Sequence, residues 1–180
     1  MKKILTAIAF AATMFATPST AFYNQDVGNW AVYGDEGGQE TNPACVVEYM
    51  WQDGSTFQLI YDLSTRELYI WFRNFEWDIA DTIDQFYEMQ MIMQGRQGMS
   101  SNRATYLLVN KNTIVIPNLN IDAFMVPFMQ LRELRMIMPG TIQNAYLDLA
   151  GSRMASQSLF RCVEIGDTMD FYEDIGDVPL

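Results

Sequence analysis

LDLAGSRMASQSLFRCV, residues 147–163, reads as the end of a buried strand, a break, and a short helix closing on a cysteine. Leu147 and Leu149 alternate about Asp148 with the period of a strand, and Gly151 interrupts them. Ser152 is placed to cap a helix, because its hydroxyl can accept a bond from a free amide of the first turn. Ala155, Leu159 and Cys162 then recur at steps of four and three, which puts them on one helical face. The chain holds one other cysteine, Cys45. The segment reads as the clasp of a small exported domain.

The first residues point to the compartment. Lys2 and Lys3 form a basic start, residues 4–16 are an apolar run too short to span a bilayer, and Ser19, Thr20 and Ala21 are the small residues a signal peptidase takes. A signal peptide over residues 1–21 is expected, with a retained anchor as the alternative. A single β-rich domain over residues 22–163 and an acidic C-terminal tail over residues 164–180 follow it. Cleavage leaves 159 of the 180 residues, takes the formal net charge from −11 to −13, and leaves Lys111 as the only lysine. So acidic a chain is repelled by nucleic acid and anionic lipid and attracted to cationic partners; solubility alone is the plainer explanation. An even cysteine count in an exported chain argues for a Cys45–Cys162 disulfide. Two unlinked buried thiols are the alternative.

Outward from the clasp, short alternating segments dominate. Residues 22–28 read as a loose leader and residues 30–33 as a first strand. A second strand opens at Cys45 and runs to Trp51, and residues 56–62 return. A two-residue turn at Asp53-Gly54 would set Glu48 against Leu59. A three-residue turn over residues 53–55 instead pairs Trp51 with Phe57 and Tyr49 with Leu59, and gathers Glu48, Gln58 and Asp62 on the other face. A one-residue slip exchanges the faces, so the bulged three-residue turn is expected. Residues 68–73 form a third apolar strand, 76–84 an acidic loop, and 86–93 an alternating strand with Met89, Met91 and Met93 on one side. Residues 95–102 read as a polar loop, and 106–109 with 113–116 as a hairpin. A short helix follows, capped by Asn120 or Asp122, with Phe128 and Leu131 inward. Pro127 is expected in its first turn, because proline deeper inside costs about 3 kcal/mol. Residues 134–138 and 142–149 return to strand. The pattern predicts a mainly β fold: an antiparallel β-sandwich or barrel-like roll with two short helices, the C-terminal one tied by the disulfide.

The absent residue types restrict the chemistry. There is no histidine, so Ser-His, Cys-His and histidine-ligated zinc sites are excluded. The cysteines are committed, and Lys111 sits on an expected hairpin turn, where its high pKa makes it a poor base. Carboxylates remain: Glu76, Asp78, Asp81 and Asp84 are clustered enough to consider a glycosidase pair, though solvated surface acids are far commoner. Calcium there, or in the tail around Asp167, Asp170, Glu173, Asp174 and Asp177, is chemically allowed, but neither run matches an EF-hand loop. The three alternating methionines would suit Cu(I) if exposed. Glu88, Gln90 and Gln94 occupy the opposite side, which assigns the thioethers to the core. Tyr69, Trp71 and Arg73 share one side of the third strand. They form either an exposed platform for a sugar or protein, or a second buried layer. Trp77, in the acidic loop, is expected to be an exposed contact. No catalytic residue, metal ligand or cofactor is assigned.

The pattern carried by Phe128, Leu131, Leu147 to Ser152, Ala155, Leu159 and Cys162 resembles small exported β-sandwich proteins of Gram-negative bacteria. It is loosely similar to invasion-associated locus B-like proteins, from which it departs in lacking a second cysteine cluster. The resemblance implies export to the periplasm or beyond, a β-rich fold and a helix-to-strand disulfide. The expectation is a non-enzymatic binding module for a protein or cell-envelope component, using Glu76, Trp77 and Asp78 with Tyr69, Trp71 and Arg73; a cationic target would fit the charge. A carboxylate-dependent hydrolase acting on glycans is the alternative, and a methionine-based copper carrier a third.

Overall fold

The computed structural model describes residues 21–37, 41–79, 82–96, 98–138 and 144–169. The expected signal peptide therefore falls outside the described residues, except Ala21. Ten strands and two helices follow in chain order: β1 Ala21–Val27, β2 Trp30–Asp35, β3 Ala44–Met50, β4 Thr56–Asp62, β5 Leu68–Arg73, β6 Phe86–Gly95, β7 Gly98–Asn110, β8 Thr113–Leu119, α1 Ile121–Gln130, β9 Glu133–Ile137, β10 Asn144–Asp148 and α2 Ser152–Gly166. The strands form one antiparallel sheet in the order β1-β2-β3-β4-β5-β8-β7-β6-β9-β10. The mainly β fold with two helices and a stapled C-terminal helix is as expected.

One face of this sheet carries the main core. Val47, Phe57, Leu59, Ile70, Phe72, Ile114, Met91 and Leu147 project into it from six strands, and both helices pack there. α1 contributes Phe124, Met125 and Phe128, and α2 contributes Ala155, Leu159 and Cys162. The opposite face is also buried in the centre of the sheet, where Val46, Ile60, Tyr69, Trp71, Leu107 and Val115 form a second cluster. Central strands buried on both faces explain why β5 reads as an unbroken apolar run.

The clasp closes as the spacing of its apolar residues requires. Cys162 is bonded to Cys45 of β3, with the Cα atoms 5.9 Å apart and 117 residues of sequence between them. Its cap is different from the one expected. Gly151 holds the N-cap position at φ 87°, a left-handed conformation that favours glycine, and a Cβ there would meet the Trp30 ring at 3.2 Å. Ser152 is instead the first helical residue, and its buried hydroxyl donates to the Phe128 carbonyl at 2.6 Å. That bond ties α2 to a C-terminal carbonyl of α1, one of the groups a helix leaves without an internal partner. The Trp30 indole N–H donates to the Ala150 carbonyl at 2.8 Å, so the break before α2 is anchored to β2 as well.

Several boundaries differ from expectation. Residues 22–28 are not a loose leader: β1 pairs along β2, and Gly34 leaves room for the Phe22 ring, which would lie 2.4 Å from a Cβ. The β3–β4 turn has three residues, but they are Gln52, Asp53 and Gly54. Trp51 N–H donates to the Ser55 carbonyl at 2.9 Å, Tyr49 pairs with Phe57 and Val47 with Leu59, with no bulge. The register is displaced by two residues, an even number, so every side chain keeps its expected face. Pro127 lies in the interior of α1 rather than in its first turn. The helix tolerates it by being short: Asn120 caps it, accepting from Ala123 N–H at 2.9 Å, and it ends at Gln130. The helix α2 runs to Gly166, past the expected domain end at residue 163.

The largest difference lies in β7. Residues 98–102, expected within a polar loop, are the first part of a thirteen-residue strand paired along β6 without irregularity. The strand β8 pairs only with Leu107, Leu108 and Asn110 at the far end of β7. Beyond Val115 it leaves β7, with Pro117 and then Asn118 at φ 54°, and stays paired to β5. The sheet is split at this seam, with a groove between the two strands.

Candidate functional site

The β3–β4 hairpin and the β5–β6 loop meet at one end of the sheet. Aromatic edge contacts run beneath them: Trp30 to Tyr49 at 5.2 Å, Tyr49 to Trp51 at 4.7 Å, and Trp51 to Phe72 at 5.7 Å between ring centroids. The hairpin loop is tied internally. Asp53 accepts from Ser55 N–H at 2.9 Å and from the Ser55 hydroxyl at 2.8 Å. Those bonds hold the Asp53 carboxyl below its ordinary value of 3.8, since they favour the charged form. The Ser55 hydroxyl also accepts from Phe75 N–H at 3.1 Å, which docks the second loop on the first.

That second loop carries three of the expected contact residues. Trp77 is not the exposed contact it was expected to be; it is 6% exposed and its ring lies 4.9 Å from that of Phe72. Neighbouring Phe75 is 50% exposed and takes that place, with the Arg73 guanidinium 4.5 Å above its ring. Glu76 and Asp78 are exposed, and Asp78 pairs with Lys111 at 3.0 Å. Both partners of that pair are well solvated, so the pair adds little to stability. Asp84 is exposed, and Asp81 lies outside the described residues.

Tyr69, Trp71 and Arg73 do share a side, and it is the second buried layer rather than an open platform. Arg73 is half-buried, and burial lowers its pKa while the Glu48 carboxylate opposes the shift. Burial raises the Tyr69 hydroxyl, and burial with Glu48 nearby raises that of Tyr33. On this face the Gln58 amide donates to the Glu48 carboxylate and, at 3.3 Å, to the Tyr33 hydroxyl.

The resulting surface is a cleft of about 700 Å³ lined by Asn29, Tyr49, Met50, Trp51, Gln52, Asp53 and Glu76. Met50 is 60% exposed at its rim, and Phe75 stands beside the same turn, 3.3 Å from a Cβ built at Gly54. Apolar groups thus stand beside the carboxylates of Asp53 and Glu76, with Asp78 two residues further along the same loop. Met50 was legible, because Val47, Tyr49 and Trp51 face inward and leave it outward. Phe75 was not, because the turn at Asn74 breaks the alternation that β5 establishes. Among the described residues no three His, Cys, Asp or Glu side chains are grouped to hold a metal. Met89, Met91 and Met93 are buried in the main core. Asp167 pairs with Arg66 at 2.6 Å, and the four acids of residues 170–177 lie outside the described residues.

The architecture defined here is a split ten-stranded sheet closed by a disulfide-bonded C-terminal helix. Compared with protein-family models, curated proteins and solved structures, the chain matches none.

Proposed function

We propose that the protein is an exported, non-enzymatic binding module that takes a cationic segment of a protein or cell-envelope component in the cleft at the β3–β4 hairpin. One observation carries this reading: two exposed apolar side chains, Met50 and Phe75, stand on a tied-down scaffold beside acids. An apolar contact with a charged rim provides burial at its centre and steering at its edge. The net charge of −11 extends that attraction over the whole chain. Export is supported by the disulfide. No helix among the described residues is long and apolar enough to cross a membrane.

The test is calorimetric titration of the domain from residue 22 onward with an amidated peptide of alternating lysine and leucine, at low and high salt. Binding that weakens with salt, and weakens further when Asp53→Asn, Glu76→Gln and Asp78→Asn are combined, is the expected result. Binding unaffected by the triple substitution would remove this cleft as the site.

A further inference from the structure

The seam between β7 and β8 leaves a backbone edge that no described strand uses. Leu108 N–H donates to the Gln85 carbonyl at 3.3 Å, and the Leu108 carbonyl accepts from Asp84 N–H at 2.8 Å. Leu108 therefore directs both its backbone groups to the β6 side. Directions alternate along an antiparallel strand, and the β6–β7 register is unbroken up to the turn. Tyr106, Ala104 and Asn102 thus also bond towards β6, while Thr105, Arg103 and Ser101 aim their N–H and C=O groups into the seam. No strand among the described residues pairs with those three on that side. The opposite wall cannot close onto them, because Pro117 has no N–H to donate and Asn118 at φ 54° turns the chain away. Between the walls lies a groove of about 440 Å³, with Ala104, Met91 and Phe124 on its inner side and Arg103 and Thr105 on its outer side.

We propose that this seam takes an extended peptide segment of a partner protein as an added strand, antiparallel to β7 and hydrogen-bonded to Arg103 and Thr105. The peptide's inward residues are small and apolar, to lie on Ala104 and Phe124. The residue opposite Arg103 is acidic, because Arg103 is exposed and makes no ion pair among the described residues. A directly opposed acid is the favourable cross-strand partner for it. A second copy of this chain is the poorer occupant: β7 paired with its own image about Arg103 would set two guanidinium groups face to face. The mode is strand addition, in which backbone bonds supply affinity and alternate side chains supply selectivity. The site is separate from the hairpin cleft and does not depend on it.

The probe is the end-blocked peptide Thr-Val-Glu-Val-Thr-Val, added at millimolar concentration to the isotope-labelled domain and followed by NMR. Shifts centred on Arg103 and Thr105, with amide exchange there slowed about tenfold at saturation, are expected. The same peptide N-methylated at its glutamate should not bind. Thr105→Pro removes only a seam-facing donor, so it should abolish binding while β6 pairing and the melting temperature persist. Shifts centred elsewhere, no shift, binding that survives N-methylation, or binding unchanged in Thr105→Pro would each overturn the proposal. Dimerisation without peptide, with slowed exchange at Arg103, would assign the seam to a second copy instead.

Discussion

Replacing both Cys45 and Cys162 by alanine should remove most of the margin that keeps the domain folded. The bond joins β3 to α2 across 117 residues, and both cysteines are fully buried. The entropy that such a loop withholds from the unfolded chain is worth about 4–5 kcal/mol at this length. Typical domains are stable by about 5–15 kcal/mol, so the loss is a large fraction of the whole. Packing of Ala155 and Leu159 remains in the variant, and the Trp30 and Ser152 hydrogen bonds still locate α2. The altered term is therefore chiefly the freedom of the unfolded state. Urea unfolding of both proteins, monitored by tryptophan fluorescence, measures it. The variant should unfold at a lower midpoint with a slightly larger dependence on urea, since its unfolded chain exposes more surface. A loss below about 1 kcal/mol at unchanged slope would show that loop closure is not what the bond contributes.

Trp77→Ala removes a ring from the main core beneath the acidic loop and should destabilise by about 3–5 kcal/mol in the same urea assay; a near-neutral effect would mean that the ring is not packed on Phe72. Ser152→Ala leaves the Phe128 carbonyl without its buried donor and should lower stability by about 1–3 kcal/mol, read from the shift in urea midpoint. The Asp53 carboxyl should titrate below 3.8 by carbon NMR, and Ser55→Ala should raise it towards that value. Its lowered value in the folded state means that its stabilisation is complete above the unfolded pKa. That stabilisation is lost as pH falls through the folded one, and Ser55→Ala should reduce this acid sensitivity.

The clasp was legible because three physical signals agree within a few residues: strand alternation at Leu147 and Leu149, a glycine break, and the helical spacing that ends on Cys162. The faces of the β3–β4 hairpin were legible too, since alternation sets them and survives a two-residue displacement of the turn. The turn position itself was not, because Asp53-Gly54 fits more than one loop. The polar run of residues 98–105 hides a strand for a different reason. Its hydrogen bonds come from β6, while its outer side borders the seam and packs under nothing that would demand apolar residues. β1 is disguised in the same way by lying at an edge of the sheet. Tyr69 and Trp71 show the limit on the candidate site. Period two places them together, but which layer they occupy depends on the roll of the whole sheet. Exchange of roles between Phe75 and Trp77 depends on a single turn at Asn74.

The open seam is the feature on which the sheet's split architecture turns, and amide hydrogen exchange of the free domain measures it residue by residue. With the seam open, Arg103 and Thr105 exchange rapidly while Asn102, Ala104 and Tyr106 are protected by their bonds to β6, an alternation of fast and slow along one strand. Equal protection of all five amides would show that both edges of β7 are paired and that the sheet closes there.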